Sequence, residues 1–473
     1  MTNMKRHIIY IISLISALSL SVGQSRAQEI LSLDSCVQMA LRNNREIQAA
    51  AKQAEQYRHT QKSYFANFFP KFTGHVLDLK SSSGEKEFKV DLNKFIPAEI
   101  SNAFGQILPG IGQMLDITLP PDFMAMMAGF DPTIGIGYKV GNVFHAGISL
   151  QQPIYMGGKI TAAYRMSKLG SQMAQVNEAL TADQVIVATH EAYALLLQAS
   201  QMHQVAVQYD SLLSQLMTDV KNAERHGLRG HNDVLKVQVK KTEAELQIRQ
   251  AENGIRLAQM NLCHYIGLPL TAEPKVELLT ADVKPASKDA SIIARPEYSL
   301  LELKSELSAQ QVKLTRSDFL PQLGLMAQYG YTNGIEIMDQ KLFNSPSAAV
   351  LVNLTVPLYH ANEGYHKVKA AKLEHERTML EQEDLIEKMN LELQQAANVL
   401  DESILELELT RRNMESAEEN LRASKKSFDL GLESLSDYLE SQTLWQQACA
   451  KQAIAQAQVI VNTVKYRKAS GTL

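Results

Sequence analysis

The sequence predicts an α+β membrane protein with four transmembrane β-strands per chain, two pairs of long helices, and an internal duplication. Three observations carry that prediction. All 14 prolines lie outside residues 154–268 and 358–473. An interior proline costs a helix roughly 3 kcal/mol, so both stretches read as helix, broken only at Gly227-Leu228 and Gly431-Leu432. Each stretch is preceded by two segments that alternate apolar and polar residues, though the first of them, about 72–80, does so only weakly. Finally, the two halves match at constant offset. Pro153/Pro357, Lys168/Lys372, Gly227/Gly431, Asp233/Asp437 and Ala251/Ala455 are all 204 residues apart, while Glu46/Glu297 and Pro70/Pro321 are 251 apart. Such a fixed period marks a repeat.

At the N-terminus, Lys5-Arg6 precedes an apolar run from Ile8 to Leu20 and then Ser25-Arg26-Ala27. The pattern is that of a secretory signal peptide, residues 1–27. The chain without it carries 44 basic against 51 acidic residues, near −7, against −4 for the whole chain. No nucleic-acid partner is expected from that balance. Past residue 27 no run of about 18 apolar residues occurs, so entry into a membrane must be by strands. Cys36, Cys263 and Cys449 lack metal-ligand spacing and read as buried small residues on helices.

The first repeat spans 28–293. Asp34 to about Ala66 reads as one helix capped by Asp34, ending at Phe68-Phe69-Pro70. Strands follow at about 72–80 and 143–152. In the second, Phe144, Ala146, Ile148 and Leu150 alternate with His145, Gly147, Ser149 and Gln151, the pattern of a barrel wall with a wet interior. Residues 81–141 read as a long surface loop with one or two short helices near Phe95–Met127. The arms occupy 158–266. Their returning limb has a seam from Val234 and Val237 through Lys241 and Ala244 to Leu262, stepping by 3 and 4; Lys241 is its one charge. Residues 267–293 form a linker.

The second repeat, 294–473, has a helix from Arg295 to Ser317, strands at about 322–332 and 348–356, and arms at 361–470. Val350, Val352, Leu354 and Val356 lie on one face of the last strand, with Leu351 breaking the polar face. Four strands cannot close, and an open edge in hydrocarbon leaves backbone groups unpaired. Several chains must therefore pool strands, eight or twelve being the natural totals. The helices then continue the wall as a tube from one rim.

Asn44-Arg45-Glu46-Ile47 and Arg295-Pro296-Glu297-Tyr298 resemble paired elements of the TolC family of outer-membrane channels. Gly227-Leu228…Asp233-Val234-Leu235 and Gly431-Leu432…Asp437-Tyr438-Leu439 resemble its periplasmic tip turns. With the signal peptide and strand pairs, the resemblance covers nearly all of the chain past residue 27. It implies a homotrimer with a shared 12-stranded barrel in the outer membrane of a Gram-negative bacterium, above a helical coiled-coil tunnel in the periplasm. It also implies a passive exit duct for multidrug efflux or type I secretion, partnered by a periplasmic adaptor and an inner-membrane pump. Gly227, Leu228, Asp233, Gly431 and Leu432 fall on the tip turns that meet the adaptor. Asp437 and Glu440 fall on the two acidic positions lining the closed aperture. The tyrosine and arginine that hold the family's aperture shut are replaced here by Phe428 and Glu433, leaving Arg225, Arg229 or Lys425 as candidates for a different latch.

No Gly-rich phosphate loop, zinc helix or nucleophile elbow occurs, so no enzyme, cofactor or resident metal is expected. The competing reading is an envelope coiled-coil scaffold or adaptor without a channel, and the alternating strands argue against it.

Overall fold

The computed structural model describes residues 30–80, 86–91, 133–277, 285–286, 291–337, 340–341 and 345–473. The expected signal peptide and the short helices expected near Phe95–Met127 lie outside them.

A two-residue strand β1 (Ile30–Leu31) leads into α1 (Leu33–Asn43) and α2 (Arg45–Phe65). The single helix expected here is thus two. Asn44 breaks it, ending α1 in extended backbone while its side-chain oxygen accepts the N–H groups of Glu46 and Ile47 at the start of α2. Ser32 caps α1 rather than Asp34, accepting from Ser35 N at 3.3 Å. Strands β2 (Lys71–Leu79), β3 (Lys86–Asp91) and β4 (Thr133–Met156) follow, then α3 (Lys159–Arg225) and α4 (His231–Ile266). Strand β4 starts ten residues before the expected strand and pairs there with β3, so both ends of the expected 81–141 loop contain strand. The linker contributes β5 (Lys275–Val276), which pairs in parallel with β1. Next come α5 (Pro296–Ser317), β6 (Gln322–Ile337), β7 (Gln340–Lys341), β8 (Pro346–Thr355), α6 (Glu363–Asp429) and α7 (Leu435–Ala469). Helices α3 and α6 are both 67 residues long and start 204 residues apart. At about 1.5 Å per residue each runs roughly 100 Å.

The chain divides into two units. The first comprises Met1–Gln61, Arg165–Gln311 and Ala370–Leu473, and its described residues are mostly helical, with β1 and β5 as their strands. Near the turns its core joins all four long helices: Leu213 and Val220 of α3, Val237 of α4, Phe428 of α6, and Leu435 and Tyr438 of α7. A second cluster seats Cys36 and Ala40 of α1 on Tyr193 and Leu196 of α3 and Leu262 of α4. The Tyr193 hydroxyl donates toward Leu31 O and Glu277 O, fastening the β1–β5 ribbon. Cys36 and Cys263 are buried free thiols, and burial pushes that of Cys36 up to about 11. The α4 seam is buried at Val234, Val237, Ala244, Ala258 and Leu262. Lys241 is accommodated within it by partners on α3, Ser214 Oγ at 2.8 Å and Asp210 Oδ1 at 3.2 Å.

The second unit comprises Lys62–Tyr164 and Val312–Lys369 and contains a six-stranded antiparallel sheet. Strands β2 and β3 pair along one edge of β4, β6 along the other; β7 and β8 then pair along the far edge of β6. Among the described residues, no helix is long and apolar enough to cross a membrane.

Candidate functional site

Two regions bear on function, and each lies within one unit. The first is the sheet. Its register places Phe72, Val76, Ile148, Leu150, Tyr329, Val350, Val352 and Leu354 on one face. On the other lie Thr73, His75, His145, Ser149, Gln151, Gln328, Thr332, Asn353 and Thr355. The apolar face is bare: Phe72 is 73 % exposed, Val76 74 % and Val350 72 %. A sheet in water hides such a face against another layer. Here the apolar face is left open, and the polar face borders a cavity at its helical end. There Lys71, Gln151, Met326, Leu351 and Asn353 line a cavity of about 500 Å³. Leu351, the residue out of step with the polar face, pairs across the ladder with Met326 on this same lining.

The second region holds the two helix turns. At Gly227 the backbone is left-handed (φ +70°), and Leu228 N–H reaches back to Ala223 O at 2.9 Å. At Gly431 (φ +74°) Leu432 N–H reaches Ser427 O at 2.8 Å. Both turns close the helix C-terminus with the six-to-one bond that needs a residue free of a Cβ penalty. They also leave Leu228 and Leu432 each 79 % exposed. The helices restart alike. Asp233 and Asp437 occupy the third position of α4 and α7, close to the positive end of each helix dipole. Asp437 N–H donates to Ser434 Oγ, and that hydroxyl donates to Asp437 Oδ2 at 2.8 Å. Asp437 is therefore the reciprocal partner of a helix cap, a role not read from the sequence. Glu440 stands one turn on, and both carboxylates are exposed.

Of the three latch candidates, Arg225 and Lys425 are exposed. Arg229 is the one the structure brings to the second turn. Its guanidinium lies 4.4 Å from the centroid of Phe428 and 3.7 Å from Asp233 Oδ2. Phe428 stacks in turn on Tyr438, 4.9 Å between centroids, and Glu433 accepts from Ser424 Oγ.

Residues 293–472 match the family described as "Outer membrane efflux protein". The alkaline protease secretion protein AprF of Pseudomonas aeruginosa is 23% identical over 305 residues, 62% of this chain and 63% of AprF. This chain thus matches less than two thirds of that relative's length. The fold superposes on the Campylobacter jejuni CmeC outer membrane channel with a TM-score of 0.72 at 20% identity, covering 93% of this chain and 85% of CmeC. For the outer membrane protein VceC of Vibrio cholerae the TM-score is 0.69 at 14% identity, covering 93% and 96%. The Neisseria gonorrhoeae MtrE channel gives 0.70 at 14%, covering 93% and 88%. The fold is that of the TolC-like outer membrane channels, and the C-terminal part of the chain resembles the outer membrane efflux family in sequence. The relatives matched are described as outer membrane channels, an outer membrane protein and a secretion protein.

Proposed function

We propose that this TolC-like chain forms the outer-membrane exit duct of a tripartite efflux or type I secretion system. The observation that carries the reading is the two-faced sheet. Its bare apolar face suits acyl chains and its polar face suits water. Among the described residues, its outer strands β2 and β8 have ladder partners on one side only. In hydrocarbon those unpaired backbone groups each cost several kcal/mol, so copies of the chain must close the wall together. Four strand positions across the sheet give twelve for a homotrimer, and two 67-residue helices per chain are long enough to wall a periplasmic tunnel. The 204-residue offset between corresponding helices and turns supports an origin by duplication, with repeats at 28–293 and 294–473.

At the tunnel's end, Gly227, Leu228, Gly431 and Leu432 present bare leucines on rigid turns, a surface for a periplasmic adaptor carrying the chain to its inner-membrane pump. Asp233 supports the first turn. Asp437 and Glu440, repeated around a three-fold axis, make two carboxylate rings, an aperture that attracts cations. AprF's name supports protein secretion, and the matched family description supports efflux; the pump decides between them.

The test is direct. Purified protein reconstituted in planar bilayers gives discrete, cation-preferring conductance steps, and cross-linking in native membranes yields a trimer with an adaptor and a pump attached. A monomer that stays dispersed without detergent and conducts nothing overturns the proposal in favour of an envelope scaffold.

A further inference from the structure

On the polar face of the sheet two histidines meet that are 70 residues apart in the chain. The rings of His75 (β2) and His145 (β4) lie nearly parallel, 11° between planes and 5.7 Å between centroids. The register explains the encounter. His75 is paired across the ladder with Gly147, two positions along β4 from His145 and therefore on the same face. The His145 ring lies flat over that glycine and over its neighbour Gly330 on β6. A Cβ built on Gly147 would come 3.3 Å from His145 Nε2, and one on Gly330 would come 3.3 Å from Cε1. The two glycines thus leave room for the ring to turn its Nε2 edge along the strand toward the side where His75 stands. Its other nitrogen is held: Nδ1 lies 2.8 Å from Thr332 Oγ1 on β6.

We propose that His75 and His145 bind a borderline divalent cation, Zn²⁺, Ni²⁺ or Cu²⁺, with water completing its coordination. Three features point there. Two imidazoles sharing one metal at about 2.0–2.1 Å per bond have centroids about 5–6.5 Å apart, a range that contains the observed separation. When Nδ1 donates its proton to the threonine oxygen, Nε2 presents its lone pair, and this is the outer-shell arrangement that orients metal-bound histidines. Imidazole pairs select these metals over Mg²⁺ and Ca²⁺, which require oxygen ligands. The neighbouring rung is Thr73 and Ser149, neutral residues that neither repel a cation nor compete for it as carboxylates would. The site needs only this sheet, so it stands whether or not the protein conducts.

Untagged protein, purified in detergent and stripped with a chelator, is titrated with ZnCl₂ and with MgCl₂ by calorimetry. The wild-type chain should take up one more equivalent of Zn²⁺ than His75→Ala or His145→Ala, with no matching Mg²⁺ event. Thr332→Val should weaken that equivalent by about tenfold while keeping the stoichiometry. Acidification should abolish it, since protons compete for the ligating nitrogens. A second measurement needs no variant: Zn²⁺ should protect His75 and His145, together, from carbethoxylation mapped by mass spectrometry. Equal Zn²⁺ uptake by the wild type and both alanine variants, or unprotected rings at saturating Zn²⁺, overturns the site. Neither result depends on conductance or on any partner.

Discussion

Arg229 stands over the ring of Phe428, 4.4 Å from its centroid, and so ties the first helix turn of the chain to the second. Phe428 is buried and stacked on Tyr438, which roots the contact in the core of the four helix ends. A half-desolvated cation over an aromatic ring contributes about 0.5–2 kcal/mol. Arg229→Ala should therefore speed amide hydrogen exchange at both turns by about two- to thirtyfold and leave exchange in the β1–β5 region unchanged. In bilayers the same variant should raise conductance. Phe428→Ala, which also empties core volume, should cost about 3–5 kcal/mol.

The carboxylates at the start of α7 call for a more careful substitution than truncation. Asp437 closes a cap with Ser434, so Asp437→Ala loses a charge and about 1 kcal/mol of helix start together. Asp437→Asn with Glu440→Gln removes both charges at nearly constant volume. That pair should reduce cation preference with little change in conductance, whereas the double alanine variant should also widen the passage and raise conductance. Reversal-potential measurements in a salt gradient separate the two, and an unchanged preference in both variants would remove these residues from the aperture.

These cases show what the sequence could carry. The helix turns were legible because glycine, leucine and aspartate recur at one offset, and only glycine fits the left-handed closing position cheaply. The Arg229–Phe428 contact was not, because it joins residues 199 positions apart and the choice among three cations depends on how two turns face each other. Lys241 looks out of place in its seam until Asp210 and Ser214 on the facing helix are seen. The extension of β4 is hidden in the sequence for another reason. Ile134, Ile136 and Tyr138 alternate with Gly135 and Gly137, a period-two signal that the glycines disguise as loop. The His75–His145 pair likewise follows from register, which no local spacing reveals.

Asp183 gives the helical unit a pH response. Its burial, and the like charge of Glu297, hold its carboxyl above the usual range, with Lys468 opposing. The folded state then binds more protons than the unfolded one between the ordinary and the raised values. Stability falls as pH rises through that window and is recovered as pH drops below it. Asp183→Asn should therefore stabilise the protein at neutral pH, and the gain should vanish below the ordinary carboxylate range. Chemical denaturation of the detergent-solubilised protein at pH 7 and pH 3 measures it; an equal gain at both would show that charge is not the cause.

The two junctions between sheet and long helix share a conformation but not a sequence. At the first, Gly157 and Gly158 are left-handed (φ +62° and +84°). At the second, Ala361 and Asn362 take their places at +46° and +63°. Asparagine visits this region readily, but an alanine there carries roughly 1–2 kcal/mol of strain. Ala361→Gly should release most of that, offset in part by the greater freedom of glycine in the unfolded chain, for a net gain of about 1 kcal/mol. The reverse change at the first junction is not its mirror image. A Cβ on Gly157 would lie 2.6 Å from Ser317 O and 2.8 Å from Leu320 Cβ, so Gly157→Ala adds a backbone clash to the strain and should destabilise by more than Ala361→Gly stabilises. Thermal unfolding of both variants, followed through the sheet signal in circular dichroism, should move the midpoint in opposite directions and by unequal amounts. Equal shifts would mean that backbone conformation alone, and not the packing of Gly157 on the end of α5, separates the two junctions.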